Sequence, residues 1–139
     1  MEGLLNPMVL SMWIPYGMRL LFALAARALL ARTRWPLALV VPPLWVASDA
    51  LRSIAPFGMR GTDLGYGAWK NPILIQTADL WGAHGVTFLI VLVNALAADL
   101  LVGGPLPRPS RRGAGLALPA AGLLLALALP GAYGAWRLS

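Results

Sequence analysis

Few residues in this chain could do polar chemistry, and they are widely spaced. Asp49 and Arg52 stand three apart, which puts them on one face of a helix. They read either as a polar site facing the interior of a bundle or as a plain ion pair at the end of a helix, where charge costs little. Arg19 lies deep in an apolar run. An arginine at the centre of a bilayer costs at least about 2.5–3.5 kcal/mol. It must therefore snorkel to the surface, pair with an acid such as Asp49 or Asp99, or meet a lipid phosphate. Asn94 also falls inside an apolar run, where its amide is expected to bond a neighbouring helix for roughly 1 kcal/mol. With Arg19, Asp49 and Arg52, Asn94 and Tyr66 complete the set of candidate polar or lipid-contacting residues.

No catalytic residue is assigned from the sequence. His84 is the sole histidine, placed just before an apolar helix, where a cap or interface role is expected. A Ser-His-Asp arrangement would need His84, Asp79 and a distant serine, and nothing in the spacing supports it. One histidine and no cysteine offer no metal site, and no cofactor is expected. Gly61-Thr62-Asp63-Leu64-Gly65-Tyr66-Gly67 is glycine-rich but lacks the lysine and the strand–helix setting of a phosphate loop, so it reads as a turn.

The elements that position these residues are apolar helices. Of the 139 residues, 59% are hydrophobic and 12% charged, against about 25% charged in a soluble domain. The mean hydropathy is +0.72. Long apolar stretches approach the roughly 17–25 residues that a spanning helix needs, and in lipid the backbone must satisfy its own hydrogen bonds. The expected fold is an all-α polytopic transmembrane bundle of about four spans, in one domain covering residues 1–139. The spans are placed at about 8–31, 36–54, 80–102 and 114–136, with a connecting loop at about 55–79. A soluble bundle is set aside because Leu116–Leu129 presents no polar face. Met1-Glu2 supplies no basic leader, and Arg19 interrupts the first apolar run, so that run is expected to stay as a span rather than be cleaved as a signal peptide. Small residues in the spans suit close helix packing.

The net charge of +6 does not point to nucleic acid, because the basic residues sit at the ends of apolar runs rather than along one stripe. Arg32 and Arg34 lie in the first connection, and Arg108, Arg111 and Arg112 in the third. The positive-inside rule then puts these connections in the cytoplasm and both termini, with the loop 55–79, outside. Tyr66, Trp69 and Trp81 fit an aromatic belt at the headgroups. Pro-Arg-Pro-Ser-Arg-Arg at 107–112 needs no role beyond setting topology.

One segment carries more than composition. Trp45-Val-Ala-Ser-Asp49-Ala-Leu-Arg52 is followed by Gly58 and by Leu64-Gly65-Tyr66. Then come Gln76 and Gly82-Ala-His-Gly85-Val-Thr-Phe88-Leu-Ile-Val-Leu-Val-Asn94-Ala-Leu-Ala. Over about Trp45–Ala98 this resembles the membrane domain of bacterial apolipoprotein N-acyltransferases; the flanking spans match by hydropathy alone. Two places depart from the family pattern. Asp49 stands where a glutamate is usual, and Met59-Arg60-Gly61 stands where Phe-Pro-Trp is usual.

The resemblance implies a bacterial inner-membrane protein concerned with lipoprotein N-acylation. In that family a periplasmic nitrilase-like domain with a Glu-Lys-Cys triad carries an acyl chain from phospholipid to the N-terminal amine of a lipoprotein. No position of this chain matches that triad, and the sequence has no cysteine. The expectation is therefore a membrane scaffold, inactive without a nitrilase-type catalytic domain, whose partners are phospholipid, such a domain and a lipoprotein substrate. The alternative is a non-catalytic membrane protein for lipid binding or partner assembly. A small transporter is a weaker third reading, since few polar groups converge.

Overall fold

A computed structural model describes residues 7–33, 35–54, 63–102 and 117–139. Among them the elements are α1 (Pro7–Thr33), α2 (Leu37–Ile54), α3 (Leu64–Gly67), a 3-10 turn at Ala68–Lys70, α4 (Pro72–Ile75), α5 (Ala78–Val102) and α6 (Ala117–Leu138). The chain is a bundle of helices, as the apolar runs require. α2, α5 and α6 are each long and apolar enough to cross a membrane. α1 has 27 residues, about 40 Å at the usual rise per residue. It carries Arg19, Arg27 and Arg32 along its length.

α5 is the central helix, packed against α2, α6 and α3, while α1 leans on α2. Its inward face supplies Val86, Val91, Ala95 and Leu96 to the core. The helices meet through small residues. A Cβ on Gly122 of α6 would lie 3.2 Å from a methyl of Leu96 on α5. Leucines 118, 124, 125, 127 and 129 of α6 face outward, which suits hydrocarbon as solvent and would be costly in water.

The start of α2 is capped from across the bundle. The amides of Leu37 and Ala38 donate to the Asp99 carboxylate of α5 at 3.5 and 3.4 Å. These are long hydrogen bonds, but they place a buried negative charge on the positive end of a helix. Asp99 therefore pairs with helix amides rather than with Arg19.

The connection expected at 55–79 is folded where it is described. Asn71 caps α4, its side chain accepting from the Leu74 amide at 3.0 Å. The Gly65 amide donates to Thr87 Oγ1 of α5 at 2.9 Å, and Thr87 is fully buried. A Cβ at Gly65 would strike the Ala83 carbonyl, and one at Gly134 of α6 would strike that of Ile73. Glycines thus let the connection lie directly on two helices.

α5 is broken near its start. Gly82 has φ 64° and ψ −169°, a region essentially closed to side chains. The straight part of α5 therefore begins one residue later. Gly82→Ala should lower stability by about 1–3 kcal/mol in detergent unfolding followed by tryptophan fluorescence. Gly67→Ala, with open space around it, should be near neutral. Equal effects would show that Gly82 holds no special conformation.

Candidate functional site

Near its C-terminal end α2 presents Trp45, Asp49 and Arg52 on one face, set by their spacings of four and three. α1 brings Arg19 to this face, and the residue before α3 brings Asp63. Asp49 is 1% exposed and takes both arginines on one oxygen. Its Oδ1 lies 3.1 Å from Arg19 Nη2 as an ion pair and accepts a hydrogen bond from Arg52 Nη2 at 3.0 Å. Arg52 Nη2 also donates to Asp63 Oδ1. The Arg19 guanidinium lies 4.0 Å above the Trp45 ring. Phe22 meets that ring edge-on at 5.0 Å.

Among the described residues two guanidinium groups balance two carboxylates in the cluster. That balance makes its burial affordable: an unpaired charge in a dry interior costs several kcal/mol, and a paired, hydrogen-bonded one far less. Arg19 finds an acid rather than the surface. Asp49 and Arg52 are buried against protein, covered by α1 and the Asp63 segment.

The other two candidates stand apart from this cluster. Tyr66 on α3 is about half exposed. Asn94 is exposed, and its amide donates to the Ile90 carbonyl one turn back at 2.8 Å. The expected bond to a neighbouring helix is thus replaced by one within α5. A helix carbonyl can accept a second bond, and the Ile90 carbonyl lies one turn below the exposed Asn94.

His84 is in the wall of a different feature, an apolar cavity of about 850 Å³ between α2, α5 and α6. Val46, Trp81, His84, Phe88, Leu125 and Tyr133 line it. Asp79 is turned away from His84. Its Oδ2 accepts from Arg137 Nε at 3.1 Å and Nη2 at 2.6 Å. This pair is half-exposed, so it contributes little stability, but it ties the end of α6 to the start of α5. Among the described residues no group of three His, Cys, Asp or Glu side chains could hold a metal. Met59-Arg60-Gly61 and the basic run 107–112 lie outside the described residues.

Sequence reasoning passed over Asp63, counted only as loop charge, and Thr87. Neither carried a readable signal, since the partner of Asp63 is eleven residues away and that of Thr87 twenty-two, each across a connection.

The arrangement can brace and orient. Among the described residues of the cluster no nucleophile stands beside a base.

The family described as the apolipoprotein N-acyltransferase N-terminal domain matches residues 2–96. An apolipoprotein N-acyltransferase of Allorhizobium ampelinum is 37% identical over 133 residues, covering 96% of this chain and 22% of that protein. One of Rhodopirellula baltica is 40% identical over 70 residues, covering 50% of this chain and 12% of that protein. One of Agrobacterium fabrum is 36% identical over 91 residues, covering 66% and 15%. The chain thus spans less than a quarter of the length of these relatives. No solved structure matches it.

Proposed function

Because the chain belongs to the apolipoprotein N-acyltransferase family, through that family's N-terminal domain, we propose that it is the membrane-embedded scaffold for lipoprotein N-acylation. The observation that carries this reading is the docked connection. Residues 63–77 are held by Arg52, by Thr87 and by contact with Gly134, so the bundle presents a fixed surface at one end rather than a loose loop. A fixed surface is what a catalytic domain needs if its thiol is to meet a lipid at a constant depth.

The acyl-accepting thiol comes from elsewhere, since the 139 residues contain no cysteine. In this reading a nitrilase-type domain supplies it, on the same polypeptide or on another. Phospholipid is the acyl donor and a lipoprotein amine the acceptor. The chain lies in the bacterial inner membrane with both termini and the connection 55–79 on the periplasmic side. The loop charges support that orientation. So does the Asp79–Arg137 pair, which keeps the connection and the end of α6 on one side.

Rescue of an acyltransferase-depleted bacterium tests the proposal. This chain with a nitrilase-type domain, fused or co-expressed, should restore N-acylation of a reporter lipoprotein, read by mass spectrometry. Neither part should do so alone. Restoration by the nitrilase-type domain alone, at the same membrane level, would remove the scaffold role.

The alternative is a non-catalytic membrane protein that binds lipid or assembles with a partner. The 850 Å³ apolar cavity and the Met59-Arg60-Gly61 departure favour it. Correct membrane insertion without rescue, together with stable recovery of a different membrane partner, would select it.

A further inference from the structure

Three buried polar atoms of the charge cluster have no hydrogen-bond partner among the described residues: Arg19 Nη1, Trp45 Nε1 and Asp49 Oδ2. They belong to residues that touch one another. Arg19 pairs with Asp49 at 3.1 Å and stacks on Trp45 at 4.0 Å, and Trp45 sits one turn before Asp49. Arg19 grips the carboxylate at one point, Nη2 to Oδ1, instead of through the two-pronged contact that guanidinium and carboxylate usually make. The Trp45 ring beneath the guanidinium holds its plane. An orphaned buried polar atom is rare and costly, and three in one cluster ask for a common partner.

Their chemistry specifies that partner. Two are N–H donors and one is a carboxylate acceptor. An anion would satisfy the donors but meet the Asp49 oxygen; an ammonium group would do the reverse. A hydroxyl has the chemistry to serve all three, accepting from two N–H groups and giving its own proton to the carboxylate. The Arg19 side chain is 31% exposed, so one wall of the site is not sealed by the core. We propose that Arg19, Trp45 and Asp49 form a binding site for a single hydroxyl group, supplied by water or by the glycerol headgroup of a membrane lipid. The site stands whatever reaction the bundle assists.

Magnetic resonance of the full chain, labelled with 15N at the tryptophan indoles, tests this in two kinds of nanodisc. One contains phosphatidylglycerol; the other contains only phosphatidylcholine, whose headgroup has no hydroxyl. The Trp45 indole signal is assigned by its loss in Trp45→Phe. If that variant does not fold, the shift caused by Phe22→Leu, which removes the edge-on ring, assigns it instead. Magnetisation transfer from the Trp45 indole proton to a long-lived water in both discs supports the site with water as occupant. Transfer to glycerol protons in the phosphatidylglycerol disc alone supports it with lipid as occupant. An assigned Trp45 signal showing neither transfer overturns the proposal.

Discussion

Asp49→Leu should cost about 3–5 kcal/mol, the largest loss from any single change in this chain. Leucine is close to aspartate in bulk and suits a buried helix position, so packing is not what fails. The loss is electrostatic. Asp49 is 1% exposed and its Oδ1 holds both Arg19 and Arg52. Without it Arg19 loses the carboxylate it pairs with and Arg52 loses one of its partners, so the part-buried Arg19 charge must find a new partner or drag α1 toward water. Against a total stability of about 5–15 kcal/mol, such a loss unfolds a large part of the population or detaches α1 from α2. Chemical unfolding in micelles, read by tryptophan fluorescence, measures it. Added salt should change the result little, because the cluster is buried and screening acts on exposed charge. Two further variants separate charge from shape. Asp49→Glu keeps the charge with one more methylene and should cost less than about 1.5 kcal/mol. Replacing Arg19, Asp49 and Arg52 together by leucines should recover much of the loss, since an apolar core tolerates what a broken ion pair does not. Wild-type stability for Asp49→Leu alone would mean that the cluster does not hold the bundle.

The contrast between these variants also shows what a reader of the sequence could see. The apolar runs announced the helices because a continuous apolar run of that length satisfies its own backbone in lipid only as a helix, and α2, α5 and α6 start and stop within a few residues of the hydropathy limits. The helical spacing of Asp49 and Arg52 announced their shared face, and the bilayer cost of Arg19 announced an acidic partner. Hydropathy could not say how deep the pair lies, because its burial is made by a second helix and by a connection. Asp63 and Thr87 were illegible for the same reason. Each acts only through a partner brought close by tertiary structure. Asn94 was misread through the rule that buried amides join helices. Its face of α5 is exposed, so its own helix is the nearest acceptor. The break at Gly82 left no trace in composition, because one glycine among apolar residues reads equally as a packing contact.

Gly134→Val should be the second most damaging change, and its effect should begin far from the charge cluster. The Ile73 carbonyl of α4 lies where a Cβ at position 134 would go, with the Ile73 Cγ2 methyl 2.7 Å away. Backbone cannot rotate aside as a side chain can, so α4 must lift from α6 or α6 must bow. Overpacking of this kind costs about 1–3 kcal/mol, and the branched valine has few rotamers with which to escape. The damage should be local first. Amide exchange across 73–77 should speed up before the core of α5 is affected, because Val86, Val91 and Ala95 pack elsewhere. Gly131→Ala is the control on the same helix. It meets nothing within 4 Å and replaces a poor helix former, so it should be neutral or stabilise by up to about 1 kcal/mol. If the docked connection is what a catalytic domain reads, Gly134→Val should also reduce lipoprotein acylation in the rescued strain, at unchanged membrane abundance, by more than Gly82→Ala does. Equal melting of Gly134→Val and Gly131→Ala would show that α4 does not rest on α6, and the fixed surface inferred for the bundle would go with it.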